Sequence, residues 1–192
     1  AVTVCNHIHT LDCTMVKAAA LTRQTWITSL RENFEIPLVG YLIRALGAVS
    51  LGKTTRDHLQ IIRRLERRLQ QGELVHFYPE GMLVPYDSRL RKFYDGAFVM
   101  AVRTKKPVIP MVLVRRKGRW LFGLKRKPCL TLSVLSPQYP DETLGYKEAR
   151  EELRQRVEQA MRNTLEQNAS PDGNPRAGYP ARELPLDRKP LI

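Results

Sequence analysis

At 192 residues the chain has room for one sizeable core, and its 32 Lys and Arg against 19 Asp and Glu leave a net charge of +13. That balance points to an anionic partner, whether nucleic acid, an anionic membrane surface or a phosphorylated small molecule, without choosing among them. Three cysteines, far apart and without C-x-x-C spacing, argue against a disulfide framework and a structural zinc site, and no apolar stretch reaches the ~18 to 20 residues needed to cross a bilayer.

The chain opens at Ala1 inside a strand-like run and without an initiating Met, so an upstream segment is expected. The cysteine usage fits a reducing, cytoplasmic setting. Val2 to Cys5 reads as a strand, Asn6 to Asp12 as a loop and Cys13 to Leu21 as a helix. Thr25 to Ser29 is a second short strand. Pro37 to Leu46, with Pro at its start and Gly47 just past its end, predicts a helix, and Ala48 to Leu51 a third strand. From Thr55 to Gln71 the positions of Leu59, Ile62, Leu65 and Leu69 predict a helix closed by Gly72, with Arg63, Arg64, Arg67 and Arg68 as a solvated face. Leu74 to Tyr78 is a continuous apolar run bounded by Gly72 and Pro79, as expected of a strand buried on both faces. A polar loop over Pro79 to Asp95 leads to a short helix over Gly96 to Thr104. Pro107 to Arg116 is another buried strand, in which Pro110 suggests an edge position or a bulge. Arg119 to Lys125 and Cys129 to Leu135 read as further strands, and Tyr146 to Gln167 as a long charged helix with Ala149, Leu153, Val157, Ala160, Met161 and Leu165 as its apolar stripe. Pro171, Pro175, Pro180, Pro185 and Pro190 interrupt residues 169–192, which read as a Pro-rich disordered tail. That tail carries only +1, so +12 belongs to residues 1–168. The alternation implies a single α/β domain with a mixed, largely parallel sheet flanked by helices.

Two stretches carry chemistry. In Asn6-His7-Ile8-His9-Thr10-Leu11-Asp12 a carboxylate follows a histidine by five residues, a spacing that on a continuous helix would leave the side chains about 140° apart. They meet only if the chain bends, and Asp12 then fixes the His7 tautomer and leaves the other nitrogen basic. The alternative is that Asp12 merely caps the helix and His7 is an ordinary strand-end residue. Phe77-Tyr78-Pro79-Glu80-Gly81-Met82 stands at the end of the expected central strand, where ligands of α/β sheets gather. There Gly81 lets the backbone approach a bound group and Glu80 can orient a hydroxyl or a cation, although Pro-Glu-Gly is also a plain turn.

The order N-H-x-x-x-x-D, then Gly47 to Lys53, then Tyr78-Pro79-Glu80-Gly81, then Val108-Ile109-Pro110, resembles the lysophospholipid (glycerolipid) acyltransferases typified by 1-acylglycerol-3-phosphate acyltransferases. The resemblance implies a glycerolipid acyltransferase-like fold, with 1–168 as the acyltransferase domain. It implies an O-acyltransferase moving a fatty acyl group from acyl-CoA or acyl carrier protein, as co-substrate, to a lysophospholipid, in particular 1-acylglycerol 3-phosphate. His7 takes the role of general base and Asp12 that of its orienting partner. Pro79, Glu80 and Gly81 fall in the acceptor-binding element, and Pro110 in the strand linked to donor binding or to shaping the site. Lys53 stands where the family carries arginine and so loses the bidentate fork for a phosphate, and Met82 replaces the usual Thr or Ser. Arg56, Arg89, Arg91 and Lys92 are near enough in sequence to compensate. The implied place of work is the cytoplasmic face of a membrane, peripheral or anchored by an upstream segment. A basic and aromatic hairpin over Arg115 to Lys127 is expected to present Trp120 and Phe122 either to a lipid interface or to the core.

Other readings are weaker. Gly47-Ala-Val-Ser50-Leu-Gly52 has the wrong spacing for a nucleophile elbow, which counts against a serine hydrolase. His7, His9 and Asp12 lack a suitably spaced third histidine, so no metal and no cofactor is expected. A non-catalytic module binding nucleic acid or an anionic membrane would use the basic body, yet no nucleic-acid motif is present and none is expected as partner.

Overall fold

In the computed structural model of the chain, residues 1–29, 31–50, 54–87, 89–116 and 129–168 are described. The elements are β1 (Val2–Cys5), α1 (Asp12–Ala19), β2 (Thr25–Ser29), a 3-10 turn (Arg31–Phe34), α2 (Val39–Ala45), β3 (Ala48–Ser50), α3 (Thr55–Gln70), β4 (Leu74–Phe77), α4 (Gly96–Thr104), β5 (Val108–Arg116), β6 (Cys129–Val134) and α5 (Tyr146–Gln167). They build one mixed six-stranded sheet in the order β3-β2-β4-β1-β5-β6. Every pairing is parallel except β5 with β6. The expected α/β sheet flanked by helices is therefore the architecture found. The expected strand and hairpin over 117–127, and the expected tail over 169–192, lie outside the described residues.

Period-two alternation sorts the central strands between two faces. Val2 and Val4 of β1, Val75 of β4 and Val108, Val112 and Val114 of β5 face Leu65 and Leu69 of α3, Phe98 and Ala101 of α4, and Leu153, Val157 and Met161 of α5. Cys5, Met111 and Leu113 face the opposite side, where Val16 of α1 covers them. Helix α3 begins at a reciprocal cap: the Asp57 N–H donates to Thr54 Oγ1 at 3.1 Å, and the Thr54 N–H donates to Asp57 Oδ2. Its apolar stripe is narrower than the spacing implies, since Leu59 stays half exposed. Its basic face is not simply solvated either. Arg64 and Arg68 lie over the Trp26 ring, and Arg68 pairs with Glu73.

Of the two settings expected for Pro110, the structure excludes the edge and shows the bulge. Pro110 lies within β5, which is paired on both sides, and is in register with Val4 of β1. Its carbonyl accepts the Leu135 N–H at 2.9 Å. Met111 pairs with Val134 but Val108 bridges Gln138, so the register slips by one residue across from Ile109 and Pro110. The extra residue belongs to the opposing chain, and the missing proline donor falls where β6 has just ended.

Two features place the functional end. The connection from β1 crosses β4 to reach β2 through α1 on one face of the sheet, while that from β4 crosses β1 to reach β5 through α4 on the other, so the loops leave adjacent parallel strands toward opposite faces. A crevice opens beyond the carboxyl ends of such a pair. Asn6 then extends β1 with its side chain: Nδ2 donates to Leu113 O at 3.0 Å and Oδ1 accepts the Leu113 N–H at 2.7 Å. Both groups are buried. Replacing Asn6 with Ala leaves two backbone groups of β5 without partners, and urea unfolding is expected to show a loss on the order of 2–4 kcal/mol at an unchanged m value.

Candidate active site

The loop from Asn6 to Leu11 is wound around one buried oxygen. Asp12 is fully buried, and its Oδ2 accepts from the Ile8 N–H at 2.8 Å, the His9 N–H at 2.9 Å and His7 Nδ1 at 3.0 Å. The chain bends as the His7–Asp12 pairing requires. Asp12 is the first residue of α1 and its carboxylate serves the preceding loop, while Leu11 stands at the N-cap without a side-chain cap bond. A carboxylate accepts only, so Nδ1 of His7 carries the proton and Nε2 keeps its lone pair. The His7 side chain is 22 % exposed, so the pair opens to solvent on the imidazole side only.

A second support fixes the ring plane. Tyr78 lies parallel to the His7 imidazole, with ring centroids 3.9 Å apart and planes 18° apart. Behind Tyr78, His76 packs edge-on at 4.7 Å and is tied by Nδ1 to Thr3 Oγ1 at 2.8 Å. Burial drives the His76 pKa down to about 3, with the nearby His7 adding to the effect, so His76 is neutral and structural. Burial also pushes the Tyr78 hydroxyl and the Cys5 thiol well above their ordinary values, so neither serves as an anionic nucleophile.

The loop after β4 closes the other side. Val84 N–H donates to His7 O at 3.0 Å and Tyr86 N–H to Ile8 O at 2.8 Å, which ties the two loops together. Gly81 has φ +68°, and a Cβ there would stand 2.6 Å from Cε2 of Tyr94, so both backbone and space require glycine. Tyr94 is held in turn by its N–H to Pro79 O at 2.8 Å. Glu80 is 6 % exposed and its Oε1 has no partner among the described residues. Burial raises its pKa to about 8, against the pull of the Arg91 and His7 backbone N–H groups and of the Arg91 charge. Arg91 donates to Met82 Sδ at 3.1 Å and reaches Asp87 at 3.7 Å. Burial alone would raise the Asp87 carboxyl, but two hydrogen bonds and the charge of Arg89 hold it below the usual range.

Of the residues expected from sequence, His7, Asp12, Pro79, Glu80 and Gly81 converge. Pro110 stands one strand away beside Val4. Arg56 is exposed in the first turn of α3, and among the described residues nothing joins it to this group. Lys53 lies outside the described residues. Arg89 is engaged by Asp87, whereas Arg91 is drawn inward to the Glu80 loop. Asn6, His76 and Tyr78 were not singled out for these roles. The i, i+2 spacing of His76 and Tyr78, which puts both on one face of a strand, is the signal that identifies the last two. Among the described residues no group of three His, Cys, Asp or Glu is placed to hold a metal ion.

Residues 1–114 match the family model described as Acyltransferase. The chain is 32 % identical over 115 residues to the chloroplastic 1-acyl-sn-glycerol-3-phosphate acyltransferase LPAT1 of Arabidopsis thaliana, an alignment covering 59 % of this chain and 32 % of that one. It is 34 % identical over 82 residues to the chloroplastic 1-acyl-sn-glycerol-3-phosphate acyltransferase BAT2 of Brassica napus, covering 42 % and 24 %. The chain thus spans about a third or less of the length of these curated relatives. In fold it is similar to the crystal structure of the 1-acyl-sn-glycerophosphate acyltransferase PlsC from Thermotoga maritima, with a TM-score of 0.61, 22 % identity, and 86 % of this chain and 65 % of that one covered.

Glu80 gives the site a pH signature. Its folded pKa of about 8 lies above the ordinary 4.5, so folding takes up a proton between those values and stability falls as pH rises through that window. Relative to Glu80→Gln, the wild type is expected to lose on the order of 3–5 kcal/mol between about pH 5 and about pH 8.5, measured by urea unfolding of both proteins.

Proposed function

Because the chain belongs to the acyltransferase family, we propose that it transfers a fatty acyl group from acyl-CoA or acyl carrier protein to the free hydroxyl of a lysophospholipid, in particular 1-acylglycerol 3-phosphate, giving phosphatidic acid. The observation that carries this reading is the 3.0 Å contact between His7 Nδ1 and Asp12 Oδ2 at a strand end that faces the Pro79-Glu80-Gly81 turn. The two curated relatives are named for 1-acyl-sn-glycerol-3-phosphate acyl transfer, which supports the choice of acceptor.

In the proposed reaction His7 Nε2 removes the proton of the acceptor hydroxyl as its oxygen attacks the thioester carbonyl. Asp12 holds the opposite nitrogen and balances the charge of the imidazolium that forms. The C–O bond forms, the C–S bond breaks, and His7 returns the proton to the departing sulfur. A thioester is already activated, so no nucleophile of the protein is needed, in keeping with buried Cys5 and Tyr78. Glu80 and Gly81 are assigned to the acceptor, with Arg91 and Lys53 supplying positive charge for its phosphate, Arg56 contributing from α3, and Pro110 shaping the donor side. No further cofactor is proposed. No helix among the described residues is long and apolar enough to cross a membrane. The proposed place of work, which follows from the family resemblance, is the cytoplasmic face of a membrane, reached peripherally or through an upstream segment.

Thiol release from acyl-CoA with a panel of lysophospholipids tests the reading. His7→Ala is expected to lower turnover by ~10² to 10⁴ while the fold stays intact by circular dichroism, at some cost in melting temperature, and full activity at wild-type protein levels would sink the assignment. Lys53→Ala is expected mainly to raise the acceptor KM. An unchanged KM would move the phosphate to Arg91 and its neighbours.

A further inference from the structure

The turn between β2 and α2 breaks the usual sorting of apolar side chains to the interior. Ile36 is 47 % exposed, Leu38 87 %, Tyr41 79 % and Leu42 36 %. Leu38 is moreover held at φ +64° and ψ −47°, a positive-φ backbone that costs a leucine energy and that glycine takes readily. Packing within the chain does not offset that cost, because the Leu38 side chain stands almost wholly in solvent. Strain of this kind at an exposed apolar residue is a pointer to function.

The turn is well anchored at its base. Asn33 Nδ2 donates to Ser29 Oγ at 3.0 Å, and the Gly40 N–H donates to Ile36 O at 2.8 Å. A Cβ at Gly40 would fall 2.3 Å from Phe34 O, so the chain is closed tightly there. Arg44 donates to Phe34 O at 3.1 Å and lies over the Phe34 ring. The exposed apolar groups are thus presented by a defined structure. Its position also matters: Ile27 of β2 is level with His76 of β4 in a parallel pairing, so the chain leaves β2 at the same end of the sheet at which β4 delivers Tyr78 and Glu80.

We propose that the Ile36–Leu42 turn is a membrane-docking element that seats Leu38 and Tyr41 in the interface of an anionic bilayer beside the catalytic crevice. Aliphatic and tyrosine side chains suit the acyl boundary, while Arg31 is paired with Glu35 and Arg44 with Phe34, so the attraction to lipid phosphates comes from the basic body as a whole. The positive body attracts such a surface and repels a second copy of itself. The inference rests on the lipid-acceptor reading above, since an amphiphilic acceptor would then reach His7 from the bilayer without crossing open water.

Flotation of the full 192-residue chain with phosphatidylcholine vesicles, with and without phosphatidylglycerol, tests it. The double variant Leu38→Gly, Tyr41→Ser relaxes the backbone and is expected to fold. It should bind the phosphatidylglycerol vesicles about tenfold more weakly or worse than wild type, while turnover on a short-chain, monomeric acceptor stays unchanged. Leu38→Gly, which removes a single side chain, serves should the double variant unfold. Wild-type binding by these variants overturns the proposal, as does a wild type that ignores both vesicles or self-associates through the turn instead. Absence of turnover in the wild type counts against the acyl-transfer reading alone, because the partition measurement does not depend on it.

Discussion

One buried carboxylate oxygen sets the geometry at the functional end of this protein. Asp12 Oδ2 is removed from water, and burying an uncompensated carboxylate is among the most costly things a fold can do. Two backbone N–H groups and the His7 ring compensate it. These bonds force the chain after β1 to fold back on itself, which turns an H-x-x-x-x-D spacing unsuited to a straight helix into a contact. The same bonds decide the tautomer of His7. Loop shape and imidazole chemistry therefore share a single cause, and charge-assisted bonds of this kind are individually stronger than neutral ones.

The sheet supplies the rest of the arrangement. Adjacent parallel strands whose connections leave toward opposite faces of the sheet leave a gap at their carboxyl ends, and β1 and β4 are such a pair. The His7 loop and the Glu80 loop become neighbours by topology, then are tied by the Val84 to His7 and Tyr86 to Ile8 hydrogen bonds. Tyr78 bridges them physically, as the last side chain of the β4 run lying flat on the imidazole of the β1 run. His7 is thereby held along its edge by a hydrogen bond and across its face by a ring.

Much of this was legible in the residues. The elements followed from period: α5 was bounded at Tyr146 and Gln167 because its stripe repeats cleanly and its flanks do not, and β2 and β4 because apolar runs stop at turn residues. What escaped was tertiary. The missing donor of Pro110 signalled an edge or a bulge, and only the pairing with the chain opposite, which carries the extra residue, decides for the bulge. Arg64 and Arg68 looked like a solvated face because nothing local announces that Trp26, some forty residues earlier, lies beneath them. His76 and Tyr78 were read as apolar filling of a strand, and only the pairing of β4 with β1 gives them a histidine to support.

The two acidic residues of the crevice end in opposite circumstances, and the difference bears on how an anionic acceptor could approach. Each keeps one oxygen without a partner among the described residues, but three donors converge on the other oxygen of Asp12, whereas burial raises Glu80 to about 8. An ionised Glu80 would repel the phosphate of the proposed acceptor at the very turn assigned to bind it. Held neutral near pH 7, it is instead a hydrogen-bond donor and adds nothing to the hold that Asp87 already has on the Arg91 charge. Burial of Pro79 and Glu80, next to an exposed Gly81 that has the Tyr94 ring against it, is thus what reconciles a carboxyl with an anionic substrate. The requirement for glycine and the protonation of glutamate are two consequences of one closely packed turn.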